Sequence, residues 1–599
     1  MLSGCRSGRS TSLRWSSSSG AREPPTCTHG AAAGEGELPA SLREAIAVRC
    51  DRAGPEVATT LRTAALLGPA IDLELVGAVL KRAPLEVLGH LEEGARRRLL
   101  AETGAGFAFR HDLIREALAA GVGGSRQTFV HREAARVLAT RPQAEPLTTA
   151  YHSQLGGDPA LAATALAEAA TRAGERYDYA ESERQLTLAI DLAGAPAHRL
   201  QRARTRILLG DYRRAEEDAL ATLREGAGAG ALEVAAWAAY YRRDFAVARQ
   251  YAGDGARLAG GADRARCLTI DGRARASDGD LSSAAARLEE AVALAPDPAG
   301  RLAPAVFLAQ IRCWQGRASE ALELARPAMQ MRLSPAVQLQ PLALYAHITT
   351  VHALATLGRA AQALLAIDAW EAEIERQHAR RFKGRSTNFR AWVLRSLAHF
   401  VEADDLSQQA LAEAREVGGV EAEAHALLDL AAARLLEGEV DGATGYLDAV
   451  SPLEEGTHAN RWRYALRHRL LRARAALAGG RPDAALPLVA EVRATAAALE
   501  TQRYVDLAFL LEAQARAVLG EPIDPAAAGR VLEALPRHSA LDAWWLAAEA
   551  AAATGIDAFW ALAEAHVARL AAQAGEYAGA FRRYAGARLE TMKTAGRHG

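Results

Sequence analysis

GDLSSA, residues 279–284, is the stretch on which the fold turns, because its pattern returns along most of the chain. A glycine is followed five residues later by an alanine in GDYRRA (Gly210, Ala215), GDLSSA (Gly279, Ala284) and GRASEA (Gly316, Ala321). The same interval appears in GRAAQA (Gly358, Ala363), GEVDGA (Gly438, Ala443) and GRPDAA (Gly480, Ala485), and a degenerate copy, RDFAVA, ends at Ala248. Before each glycine, apolar residues recur at helical spacing, as in 428–436, and they resume after it at Ala284, Leu288, Ala291 and Val292. The interval marks a turn between two helices. The first helix ends on a glycine free to adopt a left-handed cap. The second begins within three residues, and its alanine lets the two axes come close. A larger side chain there would hold them apart.

From 210 to 358 the copies start 33, 36, 37 and 42 residues apart. A fixed period of this length is the signature of a stacked helical array. The pattern resembles tetratricopeptide repeats over about residues 150–590, with several copies lacking the family's aromatic positions. The resemblance implies a right-handed superhelix of some ten helix pairs, with a concave groove lined by the first helix of each pair. Such a groove is expected to take a protein or peptide partner, or a small effector.

Composition agrees with an all-α chain. Alanine and leucine dominate its 599 residues, half of which are hydrophobic, and aromatics make up only 6%. The 71 basic and 72 acidic residues leave a formal net charge of −1, so no whole-molecule field draws the chain to nucleic acid or an anionic membrane. DNA binding is therefore not supported. No apolar run reaches the ~18–20 residues needed to span a bilayer. The five cysteines (5, 27, 50, 267 and 313) form no CxxC pair. Their odd number and wide spacing fit neither a disulfide framework nor a zinc site, and suit a reducing cytoplasm.

Three parts are expected. Residues 1–36 are serine-, glycine- and arginine-rich without hydrophobic period, so they read as disordered or as a spurious start. Residues 37–124 alternate helix patterns (about 40–52, 55–67, 72–81, 84–95 and 112–120) with LLAETGAGFAF (99–109). Its two apolar runs flank Thr103-Gly104-Ala105-Gly106 and read as a hairpin. Together these elements make a small winged-helix-like module. Residues 125–599 form the repeat array.

A search for chemistry finds no GxxxxGK[ST], GxSxG or HExxH, and no EF-hand loop. No cofactor and no catalytic residue are expected. The sixteen histidines are scattered singly, His131 and His152 included, and are expected at surface or core-edge positions. Arg96-Arg97-Arg98 and the helix RWRYALRHRLLRARA (461–475) concentrate arginine. Arg463, Arg467 and Arg474 fall along one side of that helix. The plainer reading is a solvated face. The sharper one is a grip on an anionic peptide or nucleic acid, helped by Trp462 and Tyr464. Trp237, Trp314, Trp392, Trp544, Trp545 and Trp560 are expected in helix packing, some of them on the concave side.

LPASLREAIAVRCDR (38–52), AALLG (64–68), FRHDLIREAL (109–118) and FVHREAARVL (129–138) together resemble the region after the nucleotidase domain in STAND-class signal-transduction ATPases. The large ATP-binding LuxR-family regulators are the nearest in pattern. Their order is nucleotidase, winged helix, tetratricopeptide array and often a helix-turn-helix. Here no nucleotidase precedes Leu38, and ETMKTAGRHG (590–599) stands where the helix-turn-helix would begin. The resemblance implies a non-catalytic sensor, the regulatory portion of such a regulator. The alternative is a fragment of an ATP-dependent activator whose P-loop domain is missing from the reading frame. It also implies that His111, with Arg110, contacts a nucleotide held by a partner domain. The residues themselves read more simply as the start of a helix, with Asp112 favourable at its positive end.

Overall fold

The computed structural model describes residues 40–104, 106–226, 228–331 and 341–596. The expectation of disorder over 1–36 lies outside them. Contacts divide the chain between Ala165 and Leu166 into two compact units.

The first unit opens with α1 (Ala40–Asp51), α2 (Pro55–Leu67), α3 (Leu73–Leu80) and α4 (Pro84–Arg96). Pro55 and Pro84 occupy first-turn positions, where their missing N–H costs nothing. Asp72 caps α3 by accepting from the Leu75 amide at 2.8 Å. The expected hairpin follows: β1 (Leu100–Thr103) pairs antiparallel with β2 (Gly106–Phe109), with Leu100 opposite Phe109. Ala70 adds an isolated bridge to Ala108. Then come α5 (Asp112–Ala120), α6 (Gly124–Ala139) and α7 (Pro146–Leu155). Leu61, Leu91, Leu99, Leu100, Ile114 and Leu118 form the core under the hairpin. A second cluster joins α3 to α6 through Leu75, Val79, Val130, Ala134 and Leu138.

The second unit is a tetratricopeptide-like α-solenoid. Among the described residues, twenty helices from Pro196 to Ala572 pack as ten successive pairs, from Pro196–Leu209 on Tyr212–Arg224 to Ala543–Thr554 on Asp557–Ala572. No strand follows Phe109 among the described residues. The turns have the conformation that the glycine interval requires. Gly210, Gly279, Gly316, Gly358, Gly438 and Gly480 all have φ between 70° and 95°. Ala215, Ala284, Ala321, Ala363, Ala443 and Ala485 are all fully buried. After Gly210 and Gly279 an aspartate caps the next helix: Asp211 accepts from the Arg214 amide and Asp280 from that of Ser283.

Three further turns carry no glycine. Tyr177, Arg243 and Ala398 take the left-handed position at φ 63°, 68° and 66°. Ser182, Ala248 and Ala403, five residues on, are buried. These are repeat turns in which a side chain accepts the left-handed strain of ~1–2 kcal/mol.

Within this unit, successive turns of the superhelix touch. The Trp462 indole donates to the Ala276 carbonyl at 3.1 Å, 186 residues away. Asn460 N–H donates to Ser277 O at 3.1 Å, Ala540 N–H to Thr356 O at 3.1 Å, and Ala361 N–H to Gln573 O at 2.9 Å. Ser282 and Gln315 both donate to Glu500. Some first helices are enclosed along almost their whole length. In Ala229–Tyr241 every residue from Ala231 to Tyr240 is buried. Polar groups on such helices must find partners or lose hydration without return.

Candidate functional site

The first helices of successive pairs converge on a cavity of about 220 Å³ inside the second unit. Trp314 and Cys313 reach it from Pro298–Trp314, and His352 from Leu342–Thr356. Arg385, Phe389, Trp392 and Arg395 come from Lys383–Ser396, and His425 and Asp429 from Val420–Glu437. Arg461–Ala478 sends Trp462, Arg463, Arg467 and Arg474; Gln502–Val518 sends Arg503 and Tyr504; Ala543–Thr554 sends Trp544 and Trp545.

Six guanidinium groups thus face one interior. Their carboxylate partners number four. Asp429 is shared by Arg395 and Arg467, each at 2.5 Å. Glu421 takes Arg463 at 2.7 Å and lies 3.8 Å from Arg385. Arg474 pairs with Glu549 at 2.5 Å and Arg503 with Asp542 at 2.7 Å. Asp506, close by, is engaged by the imidazole of His538 at 2.7 Å. Burial alone would raise the Asp429 carboxyl, but Arg395 and Arg467 outweigh it and hold the group below its ordinary range.

Aromatic rings carry part of the cationic load. Arg463 stacks over Trp314 at 5.1 Å, Arg503 over Trp392 at 5.4 Å and Arg385 over Phe389 at 4.9 Å. Arg385 is the least compensated of the six. Its side chain is 11% exposed, the carboxylate within 4 Å of it, Glu421, is already bound more closely by Arg463, the more distant Asp429 is shared by Arg395 and Arg467, and its Nε has no hydrogen-bond partner. Burial, reinforced by Arg463 and Arg467, brings its guanidinium down to about 10 against the pull of Glu421. Arg503 Nε and His425 Nε2 are likewise without hydrogen-bond partners.

Burial, and then the surrounding arginines, keep His352 and His425 well below the usual histidine range, so both rings are neutral. His425 Nδ1 lies 3.4 Å from Arg467 Nη1, which can only donate. The His425 proton is therefore on Nε2, and that atom is a donor. Burial pushes the Cys313 thiol up to about 12, so it packs as a thiol.

The arginine stripe at 461–475 is corrected on one point. Arg463, Arg467 and Arg474 do lie on one side of the helix, but that side faces the interior: Arg463 is 10% exposed and all three line the cavity. Their carboxylate partners sit on other helices. Trp314, Trp392, Trp544 and Trp545 are lining residues, whereas Trp237 packs in the core against Tyr240 and Phe307. Arg385, Arg395, Arg503, His352, His425 and Asp429 escape the sequence reading. The available signal was a charge inside an otherwise apolar run, as Asp429 is in HALLDLAAARLL (425–436).

The other candidates lie elsewhere. Arg110 and His111 belong to the first unit and are exposed. Arg110 N–H continues the hairpin edge by donating to Leu99 O at 3.2 Å, and His111 is the residue before α5. The expectation of single histidines at surface or core-edge positions fails in several places: His425, His468, His538 and His566 are buried, and two others meet as a pair. His131 of α6 and His152 of α7 are buried against each other, Nδ1 to Nδ1 at 2.8 Å, with rings stacked at 5.0 Å. Burial pushes both down to about 4.

Among the described residues no group of three His, Cys, Asp or Glu side chains is placed to hold a metal ion. No described helix is long and apolar enough to cross a membrane.

No protein-family model matches the chain, and no curated protein matches it. Among solved structures it is similar to a STAND protein with a tetratricopeptide-repeat sensor from Pyrococcus horikoshii, at 13% identity and TM-score 0.47. That match covers 67% of this chain and spans 63% of the Pyrococcus chain. It is also similar to a Rap protein complexed with Competence and Sporulation Factor (12% identity, TM-score 0.34, 64% of this chain and 99% of that one). Yeast Tom70 is a third (14% identity, TM-score 0.25, 62% and 99%).

Proposed function

We propose that the chain is a non-catalytic helical-repeat sensor, the regulatory portion of a signal-transduction regulator connected with transcription in the cytoplasm. Its second unit takes an effector inside and presents its helical pairs to a protein partner. One observation carries this reading: seven first helices, spread over about 250 residues, direct cationic and aromatic side chains to a single interior cavity. A scaffold needing only a stable core would fill that space with apolar side chains at less desolvation cost. The link to a regulator rests on the segments at 38–52, 64–68, 109–118 and 129–138. In the same reading the first unit's hairpin, braced by the Ala70 bridge, serves as the wing of a winged-helix-like module. Arg110 and His111 beside it are the residues that would meet a nucleotide held by a partner domain.

Hydrogen exchange on the full chain tests the reading. A low-molecular-weight cell extract is expected to slow exchange in Val420–Glu437 and Arg461–Ala478 at least several-fold, while ATP with magnesium does not. Unchanged exchange in both helices, or saturable ATP binding at micromolar concentration, sinks it.

A further inference from the structure

The interior cavity has a chemical bias that goes beyond a generic effector site. Six guanidinium groups share four carboxylates, His352 and His425 among them are neutral, and Asp506 is taken up by the lining His538; even with Asp506 counted, the cations are in excess and the lining is left cationic. The polar atoms without partners have the same character. Arg385 Nε, Arg503 Nε and His425 Nε2 are donors, and the Thr356 hydroxyl, also without a partner, can donate as well as accept. An interior short of acceptors is complemented by oxygens carrying negative charge. The remaining wall is aromatic: Trp314, Trp392 and Phe389 already stack on arginines. A cavity of roughly 150 Å³ suffices for benzene, so one of about 220 Å³ accommodates a single ring with a head group.

We infer that this cavity is a receptor for a small organic anion, one ring or a comparable apolar body bearing a carboxylate or a phosphate. Arg385, Arg503 and His425 donate to the anion's oxygens, and the tryptophans enclose its body. The inference rests on the sensor reading above and names the effector's chemistry.

The test uses the full chain, tryptophan fluorescence and calorimetry, with phenylacetate, phenyl phosphate and neutral phenylacetamide as probes. At least one acid is expected to bind saturably, tenfold or more tighter than the amide, and the ratio between the two acids assigns the head group. R385M is expected to weaken that acid at least tenfold while Tm stays unchanged or rises, because a poorly compensated buried charge is removed. R326M, at an exposed ion pair with Glu323, is expected to change neither. Equal affinity for acid and amide, or no saturable binding of either acid, overturns the inference. So does unchanged affinity in R385M with a lowered Tm, which makes Arg385 purely structural. If R385M does not fold, the contrast between acids and amide on the unaltered chain still decides. Should both acids fail while the cell extract still slows interior exchange, the anion assignment falls and the sensor reading stands. Should the extract fail too, both fall.

Discussion

Glycine 358 has two tasks, and only one of them is local. Its φ of 73°, set by the turn between two helices, favours a residue without a Cβ. A Cβ there would also stand 2.9 Å from the Ala540 Cβ, on the following turn of the superhelix. Gly438 has the same left-handed backbone, at φ 81°, with open space around it. Gly438→Ala is therefore expected to cost ~1 kcal/mol, and Gly358→Ala ~2–4 kcal/mol because overpacking adds to the backbone term. Urea unfolding of both variants measures the difference, and equal losses would show that the second contact contributes nothing. The local task was legible in the sequence, since Gly followed by Ala at five residues needs only one helix turn to interpret. The second was not. Ala540 lies 182 positions downstream, and nothing in a single copy specifies how tightly the stack coils. Tyr177 and Ala398 were hidden for the opposite reason: the turn persists there without the residue that advertises it, whereas Arg243 was legible as the start of the degenerate copy RDFAVA.

Between elements, the contact of α6 with α7 depends on pH. His131 and His152 share one hydrogen bond, in which one ring donates and the other must be neutral to accept, and burial disfavours protonating either. In the unfolded chain each titrates near 6.5; folded, each is held at about 4. A base whose folded pKa is depressed stabilises fully above its unfolded value and loses that contribution as pH falls toward the folded one. Stability of the first unit is thus expected to be maximal above about pH 7 and to drop between pH 6.5 and 4, by on the order of 2 kcal/mol per ring at pH 5. Thermal melts from pH 7.5 to 5 check this, with H131F/H152F predicted to flatten the dependence. A pH slope unchanged in that variant would move the cause to other groups. The element boundaries themselves were readable, because caps, prolines and the Gly104 turn are local signals. The histidine pairing was not, since two residues on separate helices declare no partner. The same blindness made the arginine stripe of 461–475 look solvated: a helix shows which side its charges share, not what stands opposite.

At the level of the whole second unit, coil-to-coil contacts change how it is expected to unfold. An open repeat array melts as a chain of neighbours, each pair stabilised only by the next. Here Trp462 bridges to Ala276 and Asn460 to Ser277, coupling helices that are five pairs apart. Trp462→Ala is expected to destabilise its own helix by ~3–5 kcal/mol and to speed hydrogen exchange in Gly261–Asp278 as well. Faster exchange confined to Arg461–Ala478 would show the turns to be energetically independent. The all-α, paired architecture followed from periodicity, whereas the arrangement of the lumen depends on curvature summed over many repeats.

Gly279, seated beneath Trp462 and Leu499, gives that coiling a mechanical meaning. A spring wound until its coils touch cannot shorten, and any swelling of its bore has to travel around the circumference. Occupancy at the axis would then be registered on the rim, many residues from the occupant, without a hinge or a moving lid.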